Sequence, residues 1–109
     1  MANFTIFTKE LLNIANMKFK YNFLARKLYK LQEEYTCEVS EDNYFRYPAG
    51  INREGFLLGD QERIIFSFDQ NFLTIYYQKG TNSYHQTLEL PLTGEIIFEF
   101  TEQDRLNSS

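Results

Sequence analysis

Residues 63–101 alternate apolar and polar side chains in successive runs, each closed by turn chemistry. Ile64, Phe66 and Phe68 fall on one face of Arg63–Phe68, and Leu73, Ile75 and Tyr77 on one face of Phe72–Gln78. Ser83–Leu90 and Glu95–Thr101 repeat the pattern. Successive side chains of a strand point to opposite faces, so alternation of this kind predicts strands with one buried face. Asp69-Gln70-Asn71, Lys79-Gly80-Thr81-Asn82 and Pro91-Leu92-Thr93-Gly94 provide the intervening turns.

Strands joined by such short connections predict an antiparallel meander, and its apolar face needs a cover. Upstream, Pro48, Gly50, Gly55 and Gly59 punctuate two apolar patches, Tyr44–Tyr47 and Phe56–Leu58, which read as short or edge strands. The sheet therefore has about four to six strands. Glu38–Asn43 is a polar, acidic connector, and residues 102–109 read as a frayed tail.

The N-terminal third supplies the cover. Thr8 is placed to cap a short helix over Lys9–Asn16. Met17–Phe23 alternates as a strand does, yet Ile14, Met17, Tyr21, Leu24, Leu28, Leu31 and Tyr35 recur at helical spacing. Phe23–Tyr35 holds no Gly or Pro, and Asn22 can cap it. The favoured reading is one helix, kinked or broken near residues 16–22, packed on the meander. The fold class is then α+β. The chain 1–109 reads as a single domain, as its length suggests, with 1–36 basic and mainly helical and 44–101 an acidic sheet.

The formal net charge of −4 is unevenly spread. Residues 1–32 carry Lys9, Lys18, Lys20, Arg26, Lys27 and Lys30 against Glu10 alone, whereas residues 33–109 carry five basic side chains against fourteen acidic ones. Asymmetry of this kind can mark an interaction surface. It also has a simpler origin, a basic element packed beside an acidic sheet with the charges satisfying each other along their shared rim.

No P-loop, dinucleotide-binding or nucleophile-elbow pattern occurs, so the sequence points to no cofactor. One cysteine, Cys37, and one histidine, His85, are too few for a Cys/His metal site, and no metal site is expected. Alternation places His85 on the polar face of its strand, and Cys37 lies in no nucleophile context. Glu38, Glu41 and Asp42 lack the calcium-loop pattern. The chain reads as non-enzymatic. Without an apolar run of about twenty residues there is no membrane span, and the lone cysteine fits a cytoplasmic setting.

The expected activity is protein binding. In general character the chain resembles small inhibitors, immunity proteins and adaptors, including those encoded by phages or mobile elements, that act on a host enzyme. The expected surface is acidic, built by Glu89, Glu95, Glu99, Glu102 and Asp104, with Tyr76, Tyr77 and Tyr84 as anchors, because Tyr is enriched at binding hot spots. The alternative is a nucleic-acid accessory protein using Lys18, Lys20, Arg26, Lys27 and Lys30, although an isoelectric point near 5.0 argues against it. A homo-oligomer formed through a sheet edge is a further expectation.

Overall fold

The computed structural model describes residues 17–90 and 93–106. Nine strands run through them: β1 (Lys18–Asn22), β2 (Lys27–Gln32), β3 (Tyr35–Glu38), β4 (Tyr44–Arg46), β5 (Arg53–Gly59), β6 (Glu62–Phe68), β7 (Phe72–Lys79), β8 (Asn82–Glu89) and β9 (Glu95–Glu99). They form two antiparallel sheets, one in the order β3-β2-β1-β9 (sheet A) and one in the order β4-β5-β6-β7-β8 (sheet B).

Sheet B is the meander read from the sequence, extended at its start by the two strands of the glycine-punctuated region. The hairpin turns sit where the sequence places them: Lys79 pairs Asn82 around Gly80, whose φ is +59°, and Asp69 takes its own turn by accepting a hydrogen bond from the Gln70 backbone. The fourth run departs from that reading. Glu95–Glu99 leaves the meander and pairs with β1 in the other sheet.

The cover is a second sheet, where the sequence predicts a helix over Phe23–Tyr35. Residues 18–38 are three strands, and the strand alternation of Met17–Phe23 prevails over the helical stripe. Phe19, Tyr21 and Leu28 are fully buried on the inner face, where Phe98 and Phe100 from the β9 segment join them. Leu24 and Tyr35, both members of the helical stripe, are instead 83% and 74% exposed. Asn22 caps a turn rather than a helix: its Oδ1 accepts from the Ala25 amide at 2.9 Å while Arg26 takes a φ of +53°. The physical reason lies in sheet B. Its inner face is broad and aromatic, and a matching aromatic sheet covers it more completely than one narrow leucine stripe. The short helix expected over Lys9–Asn16 lies outside the described residues.

The core is largely aromatic. Tyr21 stacks on Phe66 with ring centroids 4.1 Å apart, Phe66 meets Phe98 edge-on at 5.9 Å, and Tyr77 stacks on Phe100 at 5.3 Å. Each of these contacts joins one sheet to the other. At the C-terminal end, residues expected to fray are held in place. Thr101 and Asp104 form a reciprocal cap around a short 3-10 turn, and Arg105 and Leu106 run beside β8, with the Leu106 amide donating to Ser83.

Candidate functional site

The register of sheet A decides what becomes of the charged sets. On its outer face Glu99, Lys18 and Leu31 form one cross-strand row, Ile97, Lys20 and Tyr29 the next, and Glu95, Asn22 and Lys27 the third. The basic segment and the acidic strand thus occupy adjacent columns of one surface. Arg26 lies in the β1–β2 turn, and Lys30 points to the opposite face from Lys20. The five lysine and arginine positions of the nucleic-acid reading are not gathered on one face.

The acidic set is also divided. Glu95 and Glu99 are on sheet A, Glu89 is at the end of β8 on the outer side of sheet B, and Glu102 and Asp104 lie in the C-terminal turn. Asp104 is engaged internally, accepting from the Thr101 amide at 2.7 Å and from Gln86 at 3.0 Å. Of the three tyrosines, Tyr77 and Tyr84 are core residues, closed off between the sheets. This corrects their reading as anchors: alternation along β7 and β8 turns them inward. Tyr76 points outward and is exposed.

The outer face of sheet B carries a different constellation. Arg53, Gly55 and Leu57 of β5 point outward beside Arg63, Ile65 and Ser67 of β6, then Phe72, Thr74, Tyr76 and Gln78 of β7, and Ser83, His85, Thr87 and Glu89 of β8. These outward positions hold two arginines and one carboxylate, Glu89, within a chain of net charge −4. Cross-strand hydrogen bonds hold the arginines in place: Arg53 Nε donates to Ser67 Oγ at 3.2 Å and Arg63 Nε to Gln78 Oε1 at 3.1 Å. Among the described residues neither makes an ion pair, and each guanidinium has donors beyond the one its Nε uses. Tyr76 stacks on His85 with centroids 6.4 Å apart, and Tyr47 lies 5.9 Å from the Arg53 guanidinium. A shallow depression of about 240 Å³ opens between Arg53, Arg63, Ile65 and Tyr76. Leu57 and Phe72 are exposed on the same side.

Where β5 meets β4, the outer face of sheet B has room for no side chain at position 55. Gly55 lies under the Phe45 ring, and a Cβ there would stand 2.7 Å from Phe45 Cζ and 2.5 Å from the Ile64 carbonyl.

Cys37 and His85 are both exposed but lie on different sheets, so the fold does not pair them. Among the described residues no group of three or more His, Cys, Asp or Glu side chains is arranged to hold a metal ion. No helix there is long and apolar enough to cross a membrane.

Two features of the molecule lie outside the expectations drawn from its sequence. The arginine–tyrosine face was legible from the polar positions of β5 to β8, once each run is taken as a strand and its outward residues are read across the sheet. The second is Glu54, which shares a face with Phe56 and is buried between the sheets, where it accepts a hydrogen bond from the Tyr21 hydroxyl. Burial raises its carboxyl to about 7. Comparison with protein-family models, curated proteins and solved structures finds no match to this chain.

Proposed function

We propose that this protein is a binding module that docks on another protein through the outer face of sheet B. The observation that carries the reading is the concentration of outward-facing Arg53, Arg63 and Tyr76, with Leu57 and Phe72, on a face holding a single outward carboxylate. Arg and Tyr are the residue types enriched at binding hot spots, and charged side chains preset by neighbours lose less entropy on docking. The partner surface is acidic around an apolar patch. Two guanidinium forks match carboxylates by paired hydrogen bonds, whereas Tyr76 and Leu57 cover apolar area.

This reading keeps protein binding and the Tyr76 anchor but moves the surface. The glutamates proposed from sequence are dispersed and partly engaged, so an acidic docking face draws little support. An inhibitor, immunity or adaptor role fits a module that works by occupying a partner's surface. A nucleic-acid ligand is less well supported, since two arginines neutralise few phosphates.

The test is affinity capture from the source cells with the wild-type chain, the double variant Arg53→Glu/Arg63→Glu and the control Lys27→Glu. A protein retained by wild type and control but lost with the double variant is expected. Recovery of nucleic acid with steep salt dependence, or a partner insensitive to the double variant, overturns the reading.

A further inference from the structure

The outer face of sheet A is striped in charge. One column, on β9, presents Glu95, Ile97 and Glu99; the adjoining column, on β1, presents Asn22, Lys20 and Lys18 in the same rows. Among the described residues none of these four charged side chains makes an ion pair, although oppositely charged Lys18 and Glu99 are direct cross-strand neighbours. Lys20 is instead drawn over the Tyr29 ring, 4.7 Å from its centroid. Ile97, in the centre of the acidic column, is 61% exposed. A shallow groove of about 630 Å³ opens at the Lys18 end, where Leu31 and Glu99 contribute to its wall.

Two stripes of opposite sign make a face that complements itself. A two-fold axis lying in the face and perpendicular to the strands would set β9 on β9 and oppose glutamate to glutamate. An axis parallel to the strands, between β9 and β1, has the reverse effect. Row by row it places Glu99 of each copy on Lys18 of the other, and Ile97 on the aliphatic stem of Lys20. It also brings the two Ile97 side chains to within about one strand spacing, ~5 Å, of the axis. Lys27, one strand further out, then lies diagonal to Glu95 of the second copy. The result has an apolar centre and a charged rim, the usual anatomy of an interface.

We infer that the outer face of sheet A binds a second copy of this chain in a two-fold, face-to-face dimer, with β9 of each copy against β1 of the other. The occupant is another copy because a single face supplies both the cations and the anions needed, which is the condition for an isologous contact. The sheet edges serve this purpose less well. Pairing β3 with itself would bring Glu38 and the neighbouring Glu33 and Glu34 together, and pairing β9 with itself would oppose Glu95 to Glu99. The overlap involves two five-residue strands of each copy, so the dimer is weak and its affinity falls as salt screens charges beyond about 8 Å.

The experiment measures the monomer–dimer equilibrium by sedimentation at low and high salt for wild type, Lys18→Glu, Glu99→Lys and an equimolar mixture of the two variants. Each variant alone opposes like charges twice, and its dimerisation is expected to weaken by about tenfold or more. In the mixture one chain carries two acidic side chains and the other two basic ones. Dimers containing one copy of each, identified by isotope labelling of one variant and native mass spectrometry, are therefore expected to recover wild-type affinity. Ile97→Asp is expected to weaken the dimer without unfolding the chain, because the side chain already faces solvent. A wild-type chain that stays monomeric at millimolar concentration overturns the inference. So do single variants that dimerise as wild type does, or a mixture that forms no mixed dimer.

Discussion

The Tyr21 hydroxyl, from sheet A, donates a hydrogen bond to the Glu54 carboxylate, from sheet B, in the space between the two sheets. Glu54 is buried beside Phe56 and Phe66, and its cross-strand neighbour Arg46 stays on the exposed edge strand without forming an ion pair among the described residues. Burial therefore raises the carboxyl from 4.5 to about 7. Between those values the folded protein holds a proton that the unfolded chain has released. The stability contributed by this group is complete below pH 4.5, falls as pH rises through the window and levels off above about 7. The expected loss is about 3 kcal/mol. Glu54→Gln keeps an acceptor for Tyr21 and removes the titration. Denaturant unfolding from pH 4 to 9 should show the variant gaining on wild type as pH rises.

Tyr77 offers a second check on the buried polar groups. Its hydroxyl donates to Glu62 at 2.6 Å, and burial together with that carboxylate pushes the phenol well above its ordinary range. Tyr77→Phe removes the donor and leaves Glu62 short of a partner, at an expected cost of about 1–2 kcal/mol. Chemical denaturation at neutral pH measures it.

Leu24 and Leu28 distinguish a hairpin from a helix. Both belong to the helical stripe, but one is almost fully exposed in the β1–β2 turn and the other is fully buried. Leu24→Asp should change stability by less than about 0.5 kcal/mol, whereas Leu28→Asp should cost about 4 kcal/mol or more and leave the chain unfolded or nearly so. Thermal melts followed by circular dichroism separate the two outcomes.

Gly55 is required by contact rather than by backbone conformation. Gly55→Ala places a methyl against the Ile64 carbonyl of β6 and the Phe45 ring of β4, so the ring must move and the β5–β6 pairing must give. The expected destabilisation is about 1–3 kcal/mol, with partner binding weakened as Phe45 and the neighbouring strands of the docking face are displaced. Joint measurement of stability and of affinity for a captured partner checks both effects.

Arg53→Ala and Tyr76→Ala probe the proposed docking face directly. Neither side chain supports the core, so each should leave stability within about 0.5 kcal/mol of wild type. Each should weaken the captured partner by about tenfold or more. Calorimetric titration and a melting curve on the same samples test the pair of expectations.

What the sequence determined by itself is the meander. In residues 63–89 the apolar positions recur every second residue and the turns carry Asp, Asn and Gly, so local chemistry and side-chain period agree on strand, face and connection. It also set which side chains point outward there, and Arg63, Tyr76 and His85 follow from that alternation. The tertiary structure decided the rest. Residues 17–23 satisfy a helical period and a strand period together, and only the broad aromatic face of sheet B selects the strands that bury Phe19 and Tyr21. The partner of Glu95–Glu99 was likewise beyond local reading, because an alternating strand fits the edge of either sheet. Once β9 joined β1, the basic and acidic segments, far apart in the chain, became neighbouring stripes. Register, a long-range property, converted a charge asymmetry along the sequence into a pattern on a single face.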